Sequence, residues 1–250
     1  MIDHKEISYH YYDSILAGIP FQYGFRYPDT VRFIERDLKE TRIDPEKALV
    51  QVSGQAFADW ERTGGRADSY AEYCLSCVPV SEMLLPNHCC IFHAAAVRYR
   101  NGAYLIAAGS GVGKSTQCRT LTEYWPREIS VINGDKPVLA CRQDGSIWVY
   151  PSPWNGKEGW HGAEAAPLAG LFLLRRGDRN SLKSLRPSQA AAGTFLSIFQ
   201  SYEKESVIRQ AGDLCGRILQ SVPVWLLTSL DVPDSTIMLY EAIRRMNNEG

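Results

Sequence analysis

The sequence has almost no excess charge of either sign and no long apolar run. Lys and Arg together number 27 and Asp and Glu number 28, so the formal net charge is -1. A chain without a basic excess does not create the field that concentrates nucleic acid or anionic lipid. Apolar runs such as LAGLFLL at 168–174 fall well short of the roughly 20 residues that span a bilayer, and they fit a buried strand. We therefore expect no nucleic-acid partner and no membrane segment.

Cysteine usage and the first residues indicate the compartment. The seven cysteines are an odd number, and they are spread from position 74 to 215 without the dense spacing of a small secreted scaffold, which favours reduced thiols. The initial MIDHKEISYHYYDS has no basic start followed by an apolar stretch, as a secretion signal would. We expect a cytoplasmic protein.

A CxxC at 74–77 and a cysteine pair at 89–90 have two interpretations. They bring several zinc-type ligands close together in sequence, but they lack the second CxxC or the paired histidines of a specific zinc spacing. After a predicted cap at Asp68, the run SYAEYCLSC instead places four side chains on one helical stripe: Tyr70, Tyr73, Cys74 and Cys77. Thiols on such a stripe usually act as small buried apolar groups, and we favour this interpretation.

The pattern of the chain changes near residue 85. Residues 1–85 mix strand-like pieces (ISYHYY, ALVQV), turn residues and one or two helices. Beyond them, apolar strands alternate with helices and loops, as in an α/β layer structure. We predict a smaller α+β N-terminal region at 1–85, suited to substrate recognition, followed by an α/β catalytic domain at 86–250.

Local signals predict the elements of this second region. CCIFHAAAVRY (89–99) is expected to be one strand, paired with GAYLIAA (102–108) through a tight turn. A helix should run over 114–125 and end before Pro126. The remaining predicted elements are strands at 128–133, 146–150, 168–176 and 222–229 and helices at 184–201, 211–221 and 234–246.

Residues 108–115, AGSGVGKS, match the phosphate-loop pattern with Ala108 in place of the first glycine. Glycines allow successive backbone N–H groups to turn toward a phosphate, and the following helix presents its positive N-terminus to the same anion. The segment follows an apolar strand and opens a helix, which is the context that the pattern requires. The alternative is a glycine-rich turn that merely caps a helix. We predict a nucleoside polyphosphate site made by Gly109, Ser110, Gly111, Val112, Gly113, Lys114, Ser115 and Thr116.

The chemistry of this loop predicts its cofactors. Lys114 would reach the β and γ phosphates, and the Ser115 hydroxyl would bind Mg²⁺. ATP and Mg²⁺ are therefore the expected cofactors, while another nucleotide or pyrophosphate stays open as the donor.

Three segments in this order resemble the catalytic domain of HPr kinase/phosphorylase: HAAAV at 93–97, AGSGVGKST at 108–116 and VINGDKPVL at 131–139. That family shares its fold with the ATP-dependent phosphoenolpyruvate carboxykinases, so the resemblance implies an α/β phosphate-loop kinase domain. It covers roughly residues 85–180. The later SPWNGKEGW and PLAGLFLLRRG look like smaller relatives that are described as HPr serine kinase-like. The resemblance also implies a homo-oligomer.

The resemblance assigns roles to two residues. His93 matches the histidine before the phosphate-loop strand, which in the family lies beside the acidic catalytic centre. Asp135 matches one of two adjacent aspartates that act as general base and hold the metal. A carboxylate at the carboxyl end of a strand near a phosphate loop can reach Mg²⁺ or an attacking hydroxyl, although an isolated aspartate there is also a common turn or cap residue.

The chain departs from the family pattern at one position. Gly134 stands where the second aspartate is expected, so Asp135 has to serve as metal ligand or as base, or another acid takes one role. Glu158 is our candidate for that acid, with a plain structural turn as the alternative. Lys136 and Lys157 are candidate phosphate contacts. Arg175 and Arg176 end a strand where a charge clamp could sit, but arginine pairs there are commonly surface charge.

These observations predict a Mg·ATP-dependent phosphotransferase. Lys114 would neutralise developing charge, and Asp135 with His93 would orient or deprotonate a hydroxyl of a protein or peptide serine or of a small molecule. The alternative is a nucleotide-binding regulatory protein with weak or no transfer, which the missing aspartate motivates. Carboxykinase chemistry would need a phosphoenolpyruvate site, which we expect 250 residues to be too few to complete.

Overall fold

The computed structural model describes residues 8–35, 38–162, 164–201 and 203–248. The first half of the segment that bears on the missing secretion signal, residues 1–7, therefore lies outside the described residues. None of the helices in the described ranges combines the length and apolarity required to cross a bilayer.

The described part of the chain contains both strands and helices, in short runs of each. The strands are β1 (His10–Leu16), β2 (Ile19–Phe25), β3 (Glu40–Thr41), β4 (Leu49–Val50), β5 (Cys89–Ile91), β6 (Ala94–Tyr99), β7 (Gly102–Ala107), β8 (Ile129–Asn133), β9 (Val138–Cys141), β10 (Ile147–Tyr150), β11 (Ala166–Arg176), β12 (Ser181–Leu185) and β13 (Val224–Ser229). The helices are α1 (Val31–Ile34), α2 (Gly54–Arg62), α3 (Ser69–Leu75), α4 (Cys77–Leu84), α5 (Lys114–Tyr124), α6 (Pro187–Leu196), α7 (Glu205–Ser221) and α8 (Asp234–Asn248), with single 3₁₀ turns at Pro28–Thr30 and Leu85–Asn87. The protein is thus a mixed α/β structure.

The larger sheet has nine strands and a mixed direction. Its main path is β5-β9-β10-β11-β7-β6-β8, and β13 and β12 extend it from β11. β7 runs parallel to β11 and antiparallel to β6, and β6 is in turn antiparallel to β8. The carboxyl ends of β7, β8 and β11 therefore meet the amino end of β6 at one edge of the sheet, where ligands of α/β sheets commonly bind.

This edge gathers the segments that the sequence singled out. The loop at 108–113 follows β7, Asp135 follows β8, His93 precedes β6, and residues 175–176 end β11. α5 packs against β6, β7 and β8, which fixes the start of the helix at the same edge. The predicted order of strand, glycine loop, helix and strand is confirmed.

The N-terminal region forms a small sheet of its own, in the order β3-β1-β2-β4. The predicted boundary at residue 85 falls in the turn Leu85–Asn87, and buried side chains on its two sides pack together. This shared cluster includes Phe21 and Tyr23 of β2 with Ile91 of β5 and Val138 of β9. Residues before 85 are thereby fixed against the strands that carry the predicted site.

Three predictions about elements were wrong. The expected strand at 89–99 breaks at 92–93, because β5 pairs with β9 whereas β6 pairs with β7. The helix expected from 184 begins at Pro187, since proline favours the first helical position, and the residues just before it belong to β12. The helix through SYAEYCLSC ends at Leu75 and a new one starts at Cys77.

The cysteines lie in different environments. Cys77 and Cys89 belong to the core cluster shared by the two sheets, and Cys90 belongs to the core of the larger sheet. Burial raises the pKa of the Cys77 and Cys90 thiols well above the usual value, so both are neutral. Within the described ranges, no three His, Cys, Asp or Glu side chains are grouped to hold a metal ion.

Glu72 is a fully buried carboxylate on α3 that holds the segment leading into α1. It accepts hydrogen bonds from the backbone N–H groups of Arg26 (2.7 Å) and Tyr27 (3.0 Å) and from the Thr30 hydroxyl (2.7 Å). Burial raises the Glu72 pKa, and the three hydrogen bonds act in the opposite direction. The carboxylate therefore fixes the position of α1 relative to α3.

We expect Glu72→Gln to lower the free energy of unfolding by about 2–4 kcal/mol, because an amide has one acceptor oxygen and would leave buried donors unpaired. Urea unfolding monitored by tryptophan fluorescence measures this change. Glu61→Gln, at an exposed position of α2, is the matched control, with a change within about 0.5 kcal/mol. Equal stability of the two variants would contradict the role of Glu72.

Candidate functional site

A cleft of about 970 Å³ opens at the edge of the large sheet where the predicted residues meet. One wall comes from the loop at 108–113 and the start of α5, and the floor from His93, Asp135 and Lys136. Residues of α1, α3 and the loop at 151–161 complete the lining, and Glu158 of this loop lies 3.6 Å from Arg119 of α5. The volume suits a small-molecule or cofactor site.

The loop between β7 and α5 has the backbone that its glycines allow. Gly111 (φ 74°) and Gly113 (φ 125°) have positive φ values, and a Cβ added at either would meet no atom within 4 Å. α5 begins at Lys114 without a side-chain cap on its first N–H groups, and its first three residues line the cleft, so these donors are available there. The loop and the helix start therefore offer the donors that an anion requires.

Lys114, His93 and Asp135 meet next to this loop. The Lys114 amine lies 2.9 Å from His93 Nε2 and 2.9 Å from the Ala108 carbonyl oxygen, and His93 Nε2 lies 3.3 Å from Asp135 Oδ1. Lys136 donates a hydrogen bond to the other carboxylate oxygen of Asp135. A cation, an imidazole and a carboxylate, three groups that phosphoryl transfer commonly uses, are thus in direct contact.

His93 Nε2 contacts both a donor and an acceptor. It accepts a hydrogen bond when it faces the Lys114 amine, and it donates one when it faces Asp135, but a ring nitrogen cannot do both at once. Movement of the Lys114 amine away from His93 would therefore free Nε2 to donate to Asp135. The backbone N–H of His93 donates to the Ser197 carbonyl oxygen (2.7 Å), which anchors the residue between β5 and β6.

The charges around Asp135 keep it ionised. Burial alone would raise the Asp135 pKa, but the hydrogen bond from His93 and the charge of Lys136 lower it to about 2. Burial lowers the pKa of Lys114, and the Asp135 carboxylate counteracts this. Asp135 is therefore a carboxylate across the physiological range, suited to accept hydrogen bonds or bind a cation more than to act as a strong base.

The lowered pKa of Asp135 predicts a pH dependence of stability. Its folded value of about 2 lies below the model value of 3.8, so the unfolded chain takes up the proton first. The stabilisation is complete above about pH 5 and is lost as the pH falls toward 2, with a total of about 2 kcal/mol. We expect the difference in unfolding free energy between the parent and Asp135→Asn, measured in urea, to shrink from pH 5 to pH 3. A constant difference would contradict the assignment.

Gly134 is closed to a larger side chain. A Cβ at this position would lie 2.5 Å from the Asn155 carbonyl oxygen and 3.3 Å from the Trp160 Cβ. The first of these is a backbone atom, so the loop at 151–161 occupies the space where a second aspartate would stand. The packing of this loop against Gly134 therefore leaves no room for that second carboxylate.

The same loop brings Glu158 to the cleft. Glu158 Oε1 lies 3.6 Å from the Arg119 guanidinium of α5. A Cβ built on Gly156 would lie 3.1 Å from the Cβ of Asp135 and 3.8 Å from Glu158 Oε2, so both acidic side chains lie against Gly156. Lys157 also lines the cleft.

The two arginines at the end of β11 differ in position. Arg176 lines the cleft and donates hydrogen bonds to the carbonyl oxygens of Gly111 (3.1 Å) and Val112 (3.4 Å). Arg175 instead donates to the Thr228 hydroxyl (3.0 Å) and is not among the residues that line the cleft. Arg176 therefore supports the tip of the loop from β11.

Most of the predicted site residues line one cleft: His93, Ser110, Gly111, Gly113, Lys114, Ser115, Thr116, Asp135, Lys136, Lys157, Glu158 and Arg176. Gly109 and Val112 belong to the loop but do not line the cleft. Sequence reasoning missed Phe33, Trp154 and Phe199 as lining residues.

The four residues of the predicted helical stripe do share a face, but that face lines the cleft: Tyr70, Tyr73, Cys74 and Cys77. The helical period predicts that these side chains share a face, but it does not predict that this face lines a cleft.

Comparison with known proteins assigns the chain to a family. The family model described as SynChlorMet cassette protein ScmC matches residues 69–214, more than half of the chain. The chain belongs to the ScmC family. The ScmC match extends from α3 into α7, so it contains the glycine loop, Asp135 and the loop at 151–161.

Among solved structures, this ScmC family member is similar to the Hpr(Ser) kinase/phosphatase from Coxiella burnetii. The similarity has a TM-score of 0.40 and 9% sequence identity, and it covers 64% of this chain and 91% of the other. A search of curated proteins found no match.

Proposed function

We propose that this protein is a Mg·ATP-dependent phosphotransferase that transfers the γ-phosphate to a hydroxyl group. One convergence carries the proposal: the amine of Lys114, the imidazole of His93 and the carboxylate of Asp135 are in contact at the start of a helix that follows a glycine loop. An anion site beside an ionised acid and a cation is suited to phosphoryl transfer, in which positioning and charge stabilisation supply most of the catalysis.

The residues present fit the expected cofactors. The backbone N–H groups of the loop and the amine of Lys114 would hold the phosphates. The Ser115 hydroxyl would hold Mg²⁺, with Glu158, which also lines the cleft, as the second acid that leaves Asp135 free for the acceptor. When bound, the metal would neutralise charge on the phosphates. Arg176 would keep the loop tip in place through its hydrogen bonds to Gly111 and Val112.

The proposed step requires little from a base. The acceptor oxygen bonds to the γ-phosphorus as the bond from that phosphorus to the β–γ bridging oxygen breaks, and the nucleoside diphosphate leaves. Because the transition state is loose, the hydroxyl proton is released late. Asp135 would orient the hydroxyl by accepting its hydrogen bond and would pass the proton to water. Lys114 would stabilise the charge that develops on the transferred group.

Calorimetry with Mg²⁺ and a non-hydrolysable ATP analogue tests the first half of the proposal. We expect one binding event, which should be lost when Mg²⁺ is replaced by EDTA. Radiolabelled ATP with a panel of serine peptides and small alcohols tests transfer. No heat at millimolar nucleotide would rule out both the phosphotransferase and a nucleotide-binding protein.

A second candidate function is a nucleotide-dependent binding protein without efficient transfer. The observation that favours it is the backbone carbonyl of Asn155 beside Gly134, which leaves no room for a second carboxylate. Nucleotide binding without any ADP or phosphorylated product, across the same acceptor panel, would favour this candidate. Product formation that depends on Glu158 would favour the phosphotransferase instead.

A further inference from the structure

Part of the cleft lining is a cluster of aromatic side chains. The rings of Phe33, Tyr70 and Tyr73 contact one another, with centroid separations of 5.4–6.1 Å, and Tyr73 stacks on Trp154 at 6.4 Å and 17°. Phe33 is 42% exposed and Tyr70 50% exposed, although both lie in a concave site. Exposed aromatic side chains that are contiguous in a cleft indicate a binding surface. We call these four residues the aromatic wall.

The aromatic wall lies beyond Asp135 as viewed from the phosphate loop. Lys114 contacts His93, His93 contacts Oδ1 of Asp135, and Lys136 contacts Oδ2 of the same carboxylate. Burial raises the pKa of Cys74, and a hydrogen bond with Cys74 raises the pKa of Tyr70. The charge of Lys136, which lines the same cleft, opposes both shifts and so lies near these side chains of α3. The order of groups across the cleft is therefore loop, Lys114, Asp135, Lys136 and wall.

Phosphoryl transfer places the attacking and leaving oxygens roughly in line on opposite sides of the phosphorus. A nucleotide whose phosphates lie on the loop would leave the acceptor to approach from the side of Asp135 that faces the wall. The aromatic wall is therefore on the acceptor side of the phosphates.

The inner part of the wall has no free polar group, and Trp154, which is 1% exposed, supports the Tyr73 ring from within the core. The Trp154 indole N–H donates to the Tyr73 carbonyl oxygen (2.8 Å), and the Tyr73 hydroxyl donates to the Pro153 carbonyl oxygen (3.1 Å). These two bonds also join α3 to the loop that carries Glu158. The outer part of the wall includes Phe33, which lies on α1. Glu72 holds the segment that leads into α1 through its hydrogen bonds with Arg26 and Thr30. A surface of this kind selects a flat apolar group.

The length of the wall sets the size of its ligand. Its accessible rings are Phe33, Tyr70 and Tyr73, whose centroids lie 5.4–6.1 Å apart, whereas Trp154 is 1% exposed. One such separation matches roughly two residues of extended chain at about 3.3 Å per residue. This leaves room for one aromatic ring and a few neighbouring atoms.

We propose that the aromatic wall binds the phosphate acceptor and that the acceptor has an aromatic ring next to the hydroxyl that is phosphorylated. The inference rests on the proposed phosphotransferase function and narrows its substrate class. The ring would lie on Phe33 and Tyr73, and the neighbouring hydroxyl would then be directed toward Asp135. A short peptide and a small aromatic alcohol share this chemistry.

The test compares acceptors with and without the ring. The peptide pair is acetyl-Gly-Phe-Ser-Gly-amide and acetyl-Gly-Ala-Ser-Gly-amide, and the alcohol pair is phenylethanol and propanol. We expect the ring-bearing member of at least one pair to have an acceptor kcat/KM at least about tenfold higher, and the pair that shows the difference identifies the source of the ring. Equal kcat/KM values within both pairs, with transfer intact, would overturn the proposal.

Substitutions in the aromatic wall test whether the wall causes the difference between ring-bearing and ring-free acceptors. Phe33→Ala should raise the KM of the ring-bearing acceptor about tenfold and leave that of the ring-free acceptor unchanged, and Phe33→Tyr should restore the parent value. Tyr124→Ala is the matched control, since Tyr124 is 51% exposed and lies outside the cleft. The same loss in Tyr124→Ala, or an equal loss with both acceptors, would overturn the assignment to the wall.

A binding measurement separates this proposal from the phosphotransferase function. Saturation-transfer NMR on the ring protons of the phenylalanine peptide requires no turnover. A signal that is present in the parent and lost in Phe33→Ala would support the wall as a ring-binding site even in a protein that transfers no phosphate. No signal in the parent, in the presence or absence of the ATP analogue and Mg²⁺, would overturn the proposal whatever the fate of the kinase assignment.

Discussion

Lys114→Met is expected to lower phosphoryl transfer by roughly 10²–10³-fold and nucleotide affinity by at least about tenfold. Methionine has a similar length and no charge, so the variant removes the amine without opening a large cavity. The Lys114 side chain contacts the loop carbonyl of Ala108 and is 7% exposed. The amine therefore already lies beside the space that the phosphates would occupy.

The same substitution should have little effect on folding. Burial desolvates the Lys114 amine and lowers its pKa. Removing the amine therefore removes the free-energy cost of a buried charge, but it also leaves the Ala108 carbonyl oxygen without that donor. We expect the free energy of unfolding to change by no more than about 1 kcal/mol. Calorimetry and urea unfolding on the same preparation measure both quantities. Lys183→Met, at an exposed position of β12, is the control, and equal nucleotide affinity in the two variants would contradict the role of Lys114.

Asp135→Asn is expected to lower transfer about 10²–10⁴-fold while nucleotide affinity stays within about threefold. Asparagine keeps the shape of the side chain and an acceptor for His93, but it cannot take a proton. The two variants thus separate phosphate binding, which depends on Lys114, from the transfer step, which depends on Asp135.

Single-turnover kinetics measure the transfer rate of Asp135→Asn, and a titration with the ATP analogue measures its nucleotide affinity. Folding is checked at pH 7, where the variant should be less stable by about 2 kcal/mol and still folded. Transfer at the parental rate would show that another group, with Glu158 as the first candidate, orients the acceptor.

Local sequence was sufficient to predict the unit that begins the site. An apolar strand, a glycine-rich turn and a helix start at 102–124 follow from hydrophobic pattern and backbone preference, and the structure has β7, the loop and α5 there. Asp135 could be placed at the carboxyl end of a strand for the same reason. Element ends were less predictable: nothing in CCIFHAAAVRY reveals that β5 and β6 pair with different strands.

Contacts between distant segments decided the rest. The antiparallel direction of β6 places His93 beside Lys114, 21 residues away in sequence, and the backbone of the loop at 151–161 closes the position beside Gly134. Phe33, Tyr70 and Trp154 share one wall because α1, α3 and that loop pack together, and no local periodicity relates them. Hydrophobic pattern and backbone preference act over a few residues, whereas strand order and side-chain packing act over the whole chain. The amino-acid order alone therefore predicted the strand, the glycine loop and the helix start and placed Asp135 at a strand end, and the packed structure determined which groups join them in the cleft.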